Sequence, residues 1–268
     1  MTDPALAPWL AGLFGLVIGS FLNVCIARLP WDYSVVQPGS HCPRCGRFLA
    51  WWENIPVLSW LLLRARCRTC KASISWRYPA VELATGLCFW WAVREQGAGW
   101  AGLRACAFGA ILIDLIVTDL DWRILPDEFT IGGWYLGLAL AAIEPLPPGL
   151  VSFFLPDQSS ARFISFAEAL AASFALAGGL AFVGWAYARY RGREGLGFGD
   201  VKMLGTIGAF LGLERGLLVI LLGSLGGTVL GVLWIKLRGR SLADYELPFG
   251  SFLGIAALWV SLFPPNQP

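Results

Sequence analysis

Eight apolar runs divide this chain, and their lengths limit its possible folds more than any other feature. A membrane-spanning helix needs roughly 20 mostly apolar residues, which the longer runs provide. Only Glu214 and Arg215 separate the sixth run from the seventh, so we expect a tight helical hairpin there. The runs are Leu6–Ala27, Pro79–Val93, Leu103–Thr118, Phe129–Pro145, Ser165–Ala188, Val201–Leu213, Gly216–Ile235 and Leu247–Phe263.

The composition supports the bilayer as the solvent of these runs. Hydrophobic residues make up 57% of the 268 positions and charged residues only 14%, with a mean hydropathy of +0.63. A soluble domain of this size cannot bury so much apolar surface. The first run lacks the basic start and cleavage site of a secretory signal, so we expect a retained helix. The predicted fold is an all-α polytopic membrane protein with about eight transmembrane helices.

The lysine and arginine side chains predict the orientation of these helices. With residues 28–78 on the inner side, sixteen of the 20 basic side chains lie inside. Cytoplasmic loops carry such an excess, so we expect both chain ends outside. Anionic lipid head groups are a sufficient partner for the basic inner face, and we expect no nucleic acid.

Four of the seven cysteines form two Cys-x-x-Cys pairs in the polar segment 28–78. Cys42 and Cys45 make the first pair, and Cys67 and Cys70 make the second. This spacing matches a four-thiolate zinc site, with a pair of disulfides as the alternative. The predicted cytoplasmic side is reducing, which disfavours disulfides. We therefore expect a structural zinc ion that stabilises a segment too small for a large core.

The chain has a single histidine, His41, which lies beside Cys42. A metalloprotease histidine pair and a Ser-His dyad within the membrane are therefore excluded. Carboxylates are the remaining acid–base groups. The predicted topology places Asp119 and Asp200 at the same membrane face. Two close carboxylates share one proton. The ionised carboxylate can then activate water, while the protonated carboxyl donates its proton to a peptide carbonyl. Helix capping is the alternative role for Asp200. Gly197 and Gly199 before it would allow a peptide backbone to approach closely.

Three further aspartates surround the end of the third run. Asp127 follows a proline and precedes an apolar run, which is typical of a helix N-cap. Asp121 lies in a polar connection, where solvation is sufficient. Asp114 is one to two turns inside the run, and a carboxylate at that depth requires a partner or a wet cavity.

In combination, these motifs resemble the type IV prepilin peptidases, a leader peptidase/N-methyltransferase family of Gly-x-Gly-Asp aspartyl proteases. The similarity extends over most of the chain. The matching stretches are "GSFLNVCIARLP" (19–30), "CPRC" (42–45), "NIPVLSWLLLRARCRTC" (54–70), "ISWRYPAVELATG" (74–86), "TDLDWRILPD" (118–127), "GREGLGFGDVKMLGTIGAFLG" (192–212) and "LPFGSFLG" (247–254).

The resemblance implies a site and a division of the chain. Asp119 and Asp200 match the catalytic aspartates, and the four cysteines of the two pairs match the zinc ligands. Gly197, Gly199 and Lys202 are candidates for binding substrate. The implied domains are a first transmembrane helix (1–27), a cytoplasmic zinc-binding domain (28–78) and a seven-helix peptidase core (79–268).

The resemblance also implies the substrates and the compartment. Type IV prepilins and type II secretion pseudopilins carry a basic leader ending in Gly, followed by Phe and an apolar helix. Cleavage would occur at the cytoplasmic face of the bacterial inner membrane. S-adenosylmethionine would then methylate the new amino terminus. Ala65 stands where the family often has glycine, which leaves a peptidase without methyltransferase activity as an alternative.

Two functions from other classes remain as alternatives. A proton-coupled transporter would also use intramembrane acids, but it has no need for a zinc site or a Gly-x-Gly-Asp motif. A zinc-stabilised assembly factor would need the cysteines but neither Asp119 nor Asp200.

Overall fold

The computed structural model describes residues 5–147, 149–154, 156, 159–192, 195–237 and 248–263. Within these residues the regular elements are helical, and extended pairing is limited to two isolated antiparallel bridges. The all-α prediction is therefore confirmed. The α-helices are α1 (Ala7–Arg28), α2 (Leu58–Leu62), α3 (Arg77–Gln96), α4 (Trp100–Trp122), α5 (Asp127–Ile143), α6 (Ala161–Arg191), α7 (Phe198–Leu237) and α8 (Phe249–Leu262), with short 3₁₀ helices at Leu29–Trp31, Trp51–Asn54 and Leu150–Phe154.

Each predicted apolar run falls on a helix over most of its length, and Leu247 lies outside the described residues. Four described segments are long and apolar enough to cross a membrane. The helix α8 is apolar but shorter, at 14 residues. The chain is thus a multi-pass membrane protein by length and composition, while the count of eight spans stays a prediction. The four segments are Ala7–Trp31, Trp100–Trp122, Ala161–Arg191 and Phe198–Gly231.

The chain divides into two compact units, Met1–Asp114 and Leu115–Pro268, with the boundary inside α4. In the first unit, glycines let α1 approach α3 closely. A β-carbon at Gly19 would lie 2.7 Å from Cα of Glu82. Small residues at such crossings are typical of membrane helix pairs. The Glu82 carboxylate also accepts the Val57 N–H at 2.7 Å, which ties the polar segment to α3.

The second unit is built on α5, α6, α7 and α8 together with the end of α4. The helix α6 begins after Ser160, whose hydroxyl accepts the Phe163 N–H. It runs against α7 at Gly208, where a β-carbon would lie 2.7 Å from the Ser173 nitrogen. Ser165 donates to the Ala141 carbonyl at 2.7 Å and so links α6 to α5.

The helix α7 reverses direction at Gly212. This residue has φ 76° and ψ −178°, a conformation available almost only to glycine. Gly227 approaches the ring of Phe252, and Asp200 approaches Gly250, so both lie beside the first turn of α8. In one straight helix Asp200 and Gly227 would be about 40 Å apart. The expected hairpin is therefore present, and it begins two residues before Glu214.

Candidate active site and metal centre

Three helix ends meet around Asp119 and Asp200. Asp119 lies on the last turn of α4, Asp200 on the first turn of α7, and Ser251 on the first turn of α8. The two aspartates are buried, with 6% and 9% of their surfaces exposed. The structure therefore brings together the two carboxylates that the sequence predicts at one membrane face.

Gly250 is the residue between the two carboxyl groups. A β-carbon at this position would lie 3.0 Å from Oδ1 of Asp200 and 3.3 Å from Cγ of Asp119. Both groups thus border the same small space, which only the absence of a side chain keeps open. Close carboxylates in a buried setting cannot both ionise easily, so the pair favours a shared proton.

Asp119 accepts two hydrogen bonds at one oxygen. Its Oδ2 accepts the backbone N–H of Ser251 at 2.7 Å and the Ser251 hydroxyl at 2.7 Å. The N–H is free for this contact because the first turn of a helix leaves its N–H groups without intrahelical partners. Pro248, the N-cap residue of α8, offers no side-chain cap to compete for it.

The two glycines before Asp200 have different surroundings. A β-carbon at Gly199 would lie 3.1 Å from Cδ1 of Leu125, so this glycine makes room for a buried leucine of the same unit. Gly197 is exposed, and the atom found near its β-carbon position among the described residues is Oδ2 of Asp200, at 3.5 Å. Of the two, Gly197 has the open backbone that an approaching peptide would need.

Lys202 lies on the other side of α7, since two residues turn a helix by about 200°. Its Nζ pairs with Oδ1 of Asp127 and lies 5.6 Å from the ring centre of Phe198. It also borders a cavity of 210 Å³ whose lining includes Trp134 and Phe174. Lys202 is thus close to the dyad along the chain but does not face it.

The three further aspartates are placed separately. Asp127 is not an N-cap: it is the first residue of α5, with Pro126 as the cap, and its carboxylate pairs with Lys202. The expected cap was therefore wrong, because an ion pair to α7 draws the side chain away from the helix start. Asp121 is exposed, but it lies on the last turn of α4 and not in a connection, and Asp114 is fully buried.

The four cysteines of the polar segment converge on one point. Their Sγ atoms all lie within 4.8 Å of one another, and those of Cys42 and Cys70 are 3.7 Å apart. Sulfurs bound to a tetrahedral zinc ion at about 2.3 Å are about 3.8 Å from each other. The arrangement fits a four-thiolate zinc site and leaves the alternative of two disulfides without support, since all four are free thiols.

Backbone N–H groups favour thiolates at this cluster. Those of Cys70 and Thr69 lower the pKa of Cys67 to about 6, and those of Cys45 and Arg44 lower the pKa of Cys42. For Cys70 the Ala72 N–H also lowers the pKa, but burial and the neighbouring Cys67 outweigh it and raise the value to about 11. The raised pKa of Cys70 means that a fourth thiolate is disfavoured in the cluster alone. Four thiolates together therefore require a cation, as in a metal site.

The two cysteine pairs share one backbone pattern. Cys42 N–H donates to the Arg47 carbonyl, and Cys67 N–H donates to the Ala72 carbonyl in the same way. Ala65 begins the second turn and accepts the Ile74 N–H with φ 54°, in the left-handed region. Glycine adopts this conformation without strain. Ala65 is therefore a departure that concerns the backbone beside the candidate metal site.

Gly250 and Ser251 are the site residues that the sequence analysis did not single out. Both lie in the stretch "LPFGSFLG", which was recorded as a similarity without a role. The available signal was a small and a hydroxyl residue just after Pro248, at the start of an apolar run. Their contact with Asp119 spans 132 residues of chain, which no local pattern reveals.

Comparisons with protein families agree with the geometry. Residues 13–95 match the family model described as "Bacterial Peptidase A24 N-terminal domain". Residues 106–232 match the one described as "Type IV leader peptidase family". The cysteine cluster falls within the first match, and Asp119 and Asp200 fall within the second. No solved structure gives a significant match to the chain.

Curated relatives are similar over nearly the full chain, and each is named "Prepilin leader peptidase/N-methyltransferase". The relative from Myxococcus xanthus is 42% identical over 90% of this chain and 69% of its own length. That from Xanthomonas campestris is 36% identical, covering 97% and 92%. That from Pseudomonas aeruginosa is 35% identical, covering 95% and 89%.

Proposed function

Because this chain belongs to the type IV leader peptidase family, we propose that it removes the leader of type IV prepilins or type II secretion pseudopilins and methylates the new amino terminus. The relatives' shared name carries both activities. The geometry that supports the first is the pair of buried carboxyl groups facing each other across Gly250.

Asp119 and Asp200 would act as an aspartyl dyad in this reaction. The ionised carboxylate takes a proton from water while the water oxygen bonds to the carbonyl carbon of the scissile peptide. The protonated carboxyl gives its proton to the carbonyl oxygen. The tetrahedral intermediate then collapses: the C–N bond breaks, the carboxyl that took the water proton gives it to the leaving amine, and one hydroxyl of the intermediate returns its proton to the other carboxylate. Atoms and charges balance with one water consumed.

The substrate is a basic leader ending in Gly, followed by Phe and an apolar helix. Such a chain places its scissile bond where leader and apolar helix meet, at the membrane face. Asp119 and Asp200 lie on helix ends, so their carboxyl groups could contact a scissile peptide bond at the membrane face. Gly197, with its open backbone, is the better candidate for contact with substrate than Gly199, and Lys202 would act away from the scissile bond.

The four cysteines, Cys42, Cys45, Cys67 and Cys70, would hold a structural zinc ion. A four-thiolate shell has no open coordination position, so zinc stabilises the fold there and takes no part in cleavage. Loss of zinc after all four residues become serine, measured by metal analysis of purified protein, is the expected result. Full retention of zinc would remove the assignment.

The chain would cross the bacterial inner membrane eight times, with residues 28–78 and the dyad on the cytoplasmic side. Four long apolar segments, the reversal of α7 at Gly212 and the apolar helix α8 support this topology. The excess of basic residues in the segments assigned to the inside sets the orientation.

Mass spectrometry of a prepilin incubated with purified protein and S-adenosylmethionine tests both activities. Wild type is expected to remove the leader and add one methyl group, while Asp119→Asn and Asp200→Asn leave the leader in place. Asp121→Asn is the matched control, because this aspartate is exposed and two residues from Asp119. Cleavage by both dyad variants would overturn the proposal. Cleavage without methyl transfer by wild type would favour the monofunctional alternative raised by Ala65.

A further inference from the structure

The hydrogen bonds around the dyad distinguish its two aspartates. Oδ2 of Asp119 accepts two donors from Ser251. Within the described part of the chain, no donor of this kind reaches the carboxyl of Asp200. We propose that Ser251 is a positioning residue that keeps Asp119 ionised, so that the shared proton resides on Asp200. This inference rests on the proposed peptidase function and assigns roles within it.

The backbone N–H of Ser251 is one part of this device. It belongs to the first turn of α8, so it points out of the helix with no intrahelical acceptor. The N-terminus of a 14-residue helix also carries a partial positive charge that favours a nearby anion. Asp200 lies near the N-terminus of α7 as well, so helix dipoles alone do not separate the two residues. The two hydrogen-bond donors of Ser251, which reach Asp119, distinguish them.

The hydroxyl of Ser251 is the second part, and it has two possible acceptors. Its Oγ lies 2.7 Å from Oδ2 of Asp119 and 3.1 Å from the Ile116 carbonyl. One hydroxyl carries one proton. When Asp119 is ionised, the hydroxyl donates to the carboxylate, since hydrogen bonds to a charged acceptor are the stronger ones. If Asp119 gains a proton, the hydroxyl can accept a hydrogen bond from the carboxyl group and donate its own hydrogen to the Ile116 carbonyl.

The other charged groups near Asp119 do not change this assignment. The titratable group that faces it from α7 is Asp200, and the described residues of α8 carry no charged side chain. Asp121 and Arg123, next along the chain, are exposed. On α5, Asp127 is engaged by Lys202. The difference between the two aspartates therefore comes from Ser251, which is itself only 1% exposed.

The assignment gives each aspartate one task. Asp119 accepts the proton of the attacking water, and Asp200 donates its proton to the carbonyl oxygen of the substrate. A positioned, ionised base and a protonated acid are both required before the first step.

The pH dependence of cleavage in Ser251→Ala tests the inference. Removing the hydroxyl takes away one donor to the Asp119 carboxylate and makes it easier to protonate. The acid limb of the kcat/KM profile is expected to move to higher pH by about one unit. At the wild-type optimum kcat is expected to fall about tenfold, with KM nearly unchanged.

Two further variants separate this role from a structural one. Ser251→Thr keeps the hydroxyl and is expected to restore the wild-type acid limb. Ser261→Ala removes a similarly buried hydroxyl from the other end of α8 and should leave the profile unchanged. An unshifted acid limb in Ser251→Ala would overturn the inference, as would an equal loss of activity at every pH that Ser251→Thr does not restore.

An infrared titration of the carboxyl band distinguishes failure of this inference from failure of the proposed function. It needs no substrate and uses the same full-length protein in detergent. Ser251→Ala should raise the pH at which the second carboxyl of the dyad becomes protonated. If wild type cleaves no prepilin but this shift occurs, the positioning role stands and the peptidase assignment fails. If wild type cleaves and no shift occurs, the positioning role is wrong.

Discussion

Gly250 limits the distance between the two carboxyl groups, and a single methyl group tests this. In Gly250→Ala the new carbon would lie 3.0 Å from Asp200 Oδ1, 3.1 Å from Leu125 Cδ1 and 3.3 Å from Asp119 Cγ. We expect leader cleavage to fall by at least about tenfold, because small displacements of catalytic groups are costly. Gly226→Ala is the control, since among the described residues a β-carbon there meets nothing within 4 Å beyond its own helix backbone. Full activity of Gly250→Ala would show that the carboxyl groups need not stay where they are.

Ala65 is a strained residue beside the four-cysteine cluster, and removing its side chain should stabilise the proposed metal site. Alanine at φ 54° is disfavoured relative to glycine by roughly 1 kcal/mol. We expect Ala65→Gly to bind zinc more tightly against a competing chelator, with cleavage unchanged. Ala50 has φ −71° in the extended region, so Ala50→Gly should weaken retention of zinc instead. Methyl transfer by wild type equal to that of Ala65→Gly would show that this departure affects stability alone.

At the scale of helices, hydropathy was sufficient to predict where the apolar helices lie in the sequence. It did not predict which residues of different helices are in contact. Each apolar run became a helix because a polar backbone in lipid must satisfy its hydrogen bonds internally. Asp119 and Asp200 were found because the predicted topology puts both at one membrane face and because their motifs resemble a family. Ser251 was missed because a hydroxyl early in an apolar run has no local signature, and its acceptor lies on another helix. Asp127 was misjudged for the same reason, since its partner Lys202 is 75 residues away.

The reversal of α7 depends on the backbone freedom of one residue. At φ 76° and ψ −178°, an alanine at position 212 would cost about 1–3 kcal/mol. We therefore expect Gly212→Ala to lower the thermal unfolding midpoint in detergent. Gly178→Ala is the control, because this glycine lies inside α6 and, in the described part of the chain, its β-carbon position has no neighbour within 4 Å beyond its own helix backbone. There the substitution should be neutral or stabilising, as alanine favours helix. Equal effects of the two changes would contradict a turn that requires glycine.

At the scale of the whole molecule, topology determines whether the metal site and the substrate leader can lie on one side of the membrane. Residues 28–78 carry eight basic side chains, whereas the connection between α3 and α4 is flanked by two, Arg94 and Arg104. The positive-inside bias therefore predicts residues 28–78 in the cytoplasm and the exposed turn at residues 97–99 outside. An epitope inserted between Ala98 and Gly99 should be accessible to antibody on spheroplasts, and one inserted between Gly39 and Ser40 only after lysis. If intact spheroplasts expose both epitopes, α3 does not span the membrane. The orientation predicted for residues 28–78 would then be wrong. A leader made in the cytoplasm could still reach Asp119 and Asp200 if the helices that carry them had the predicted orientation in the membrane.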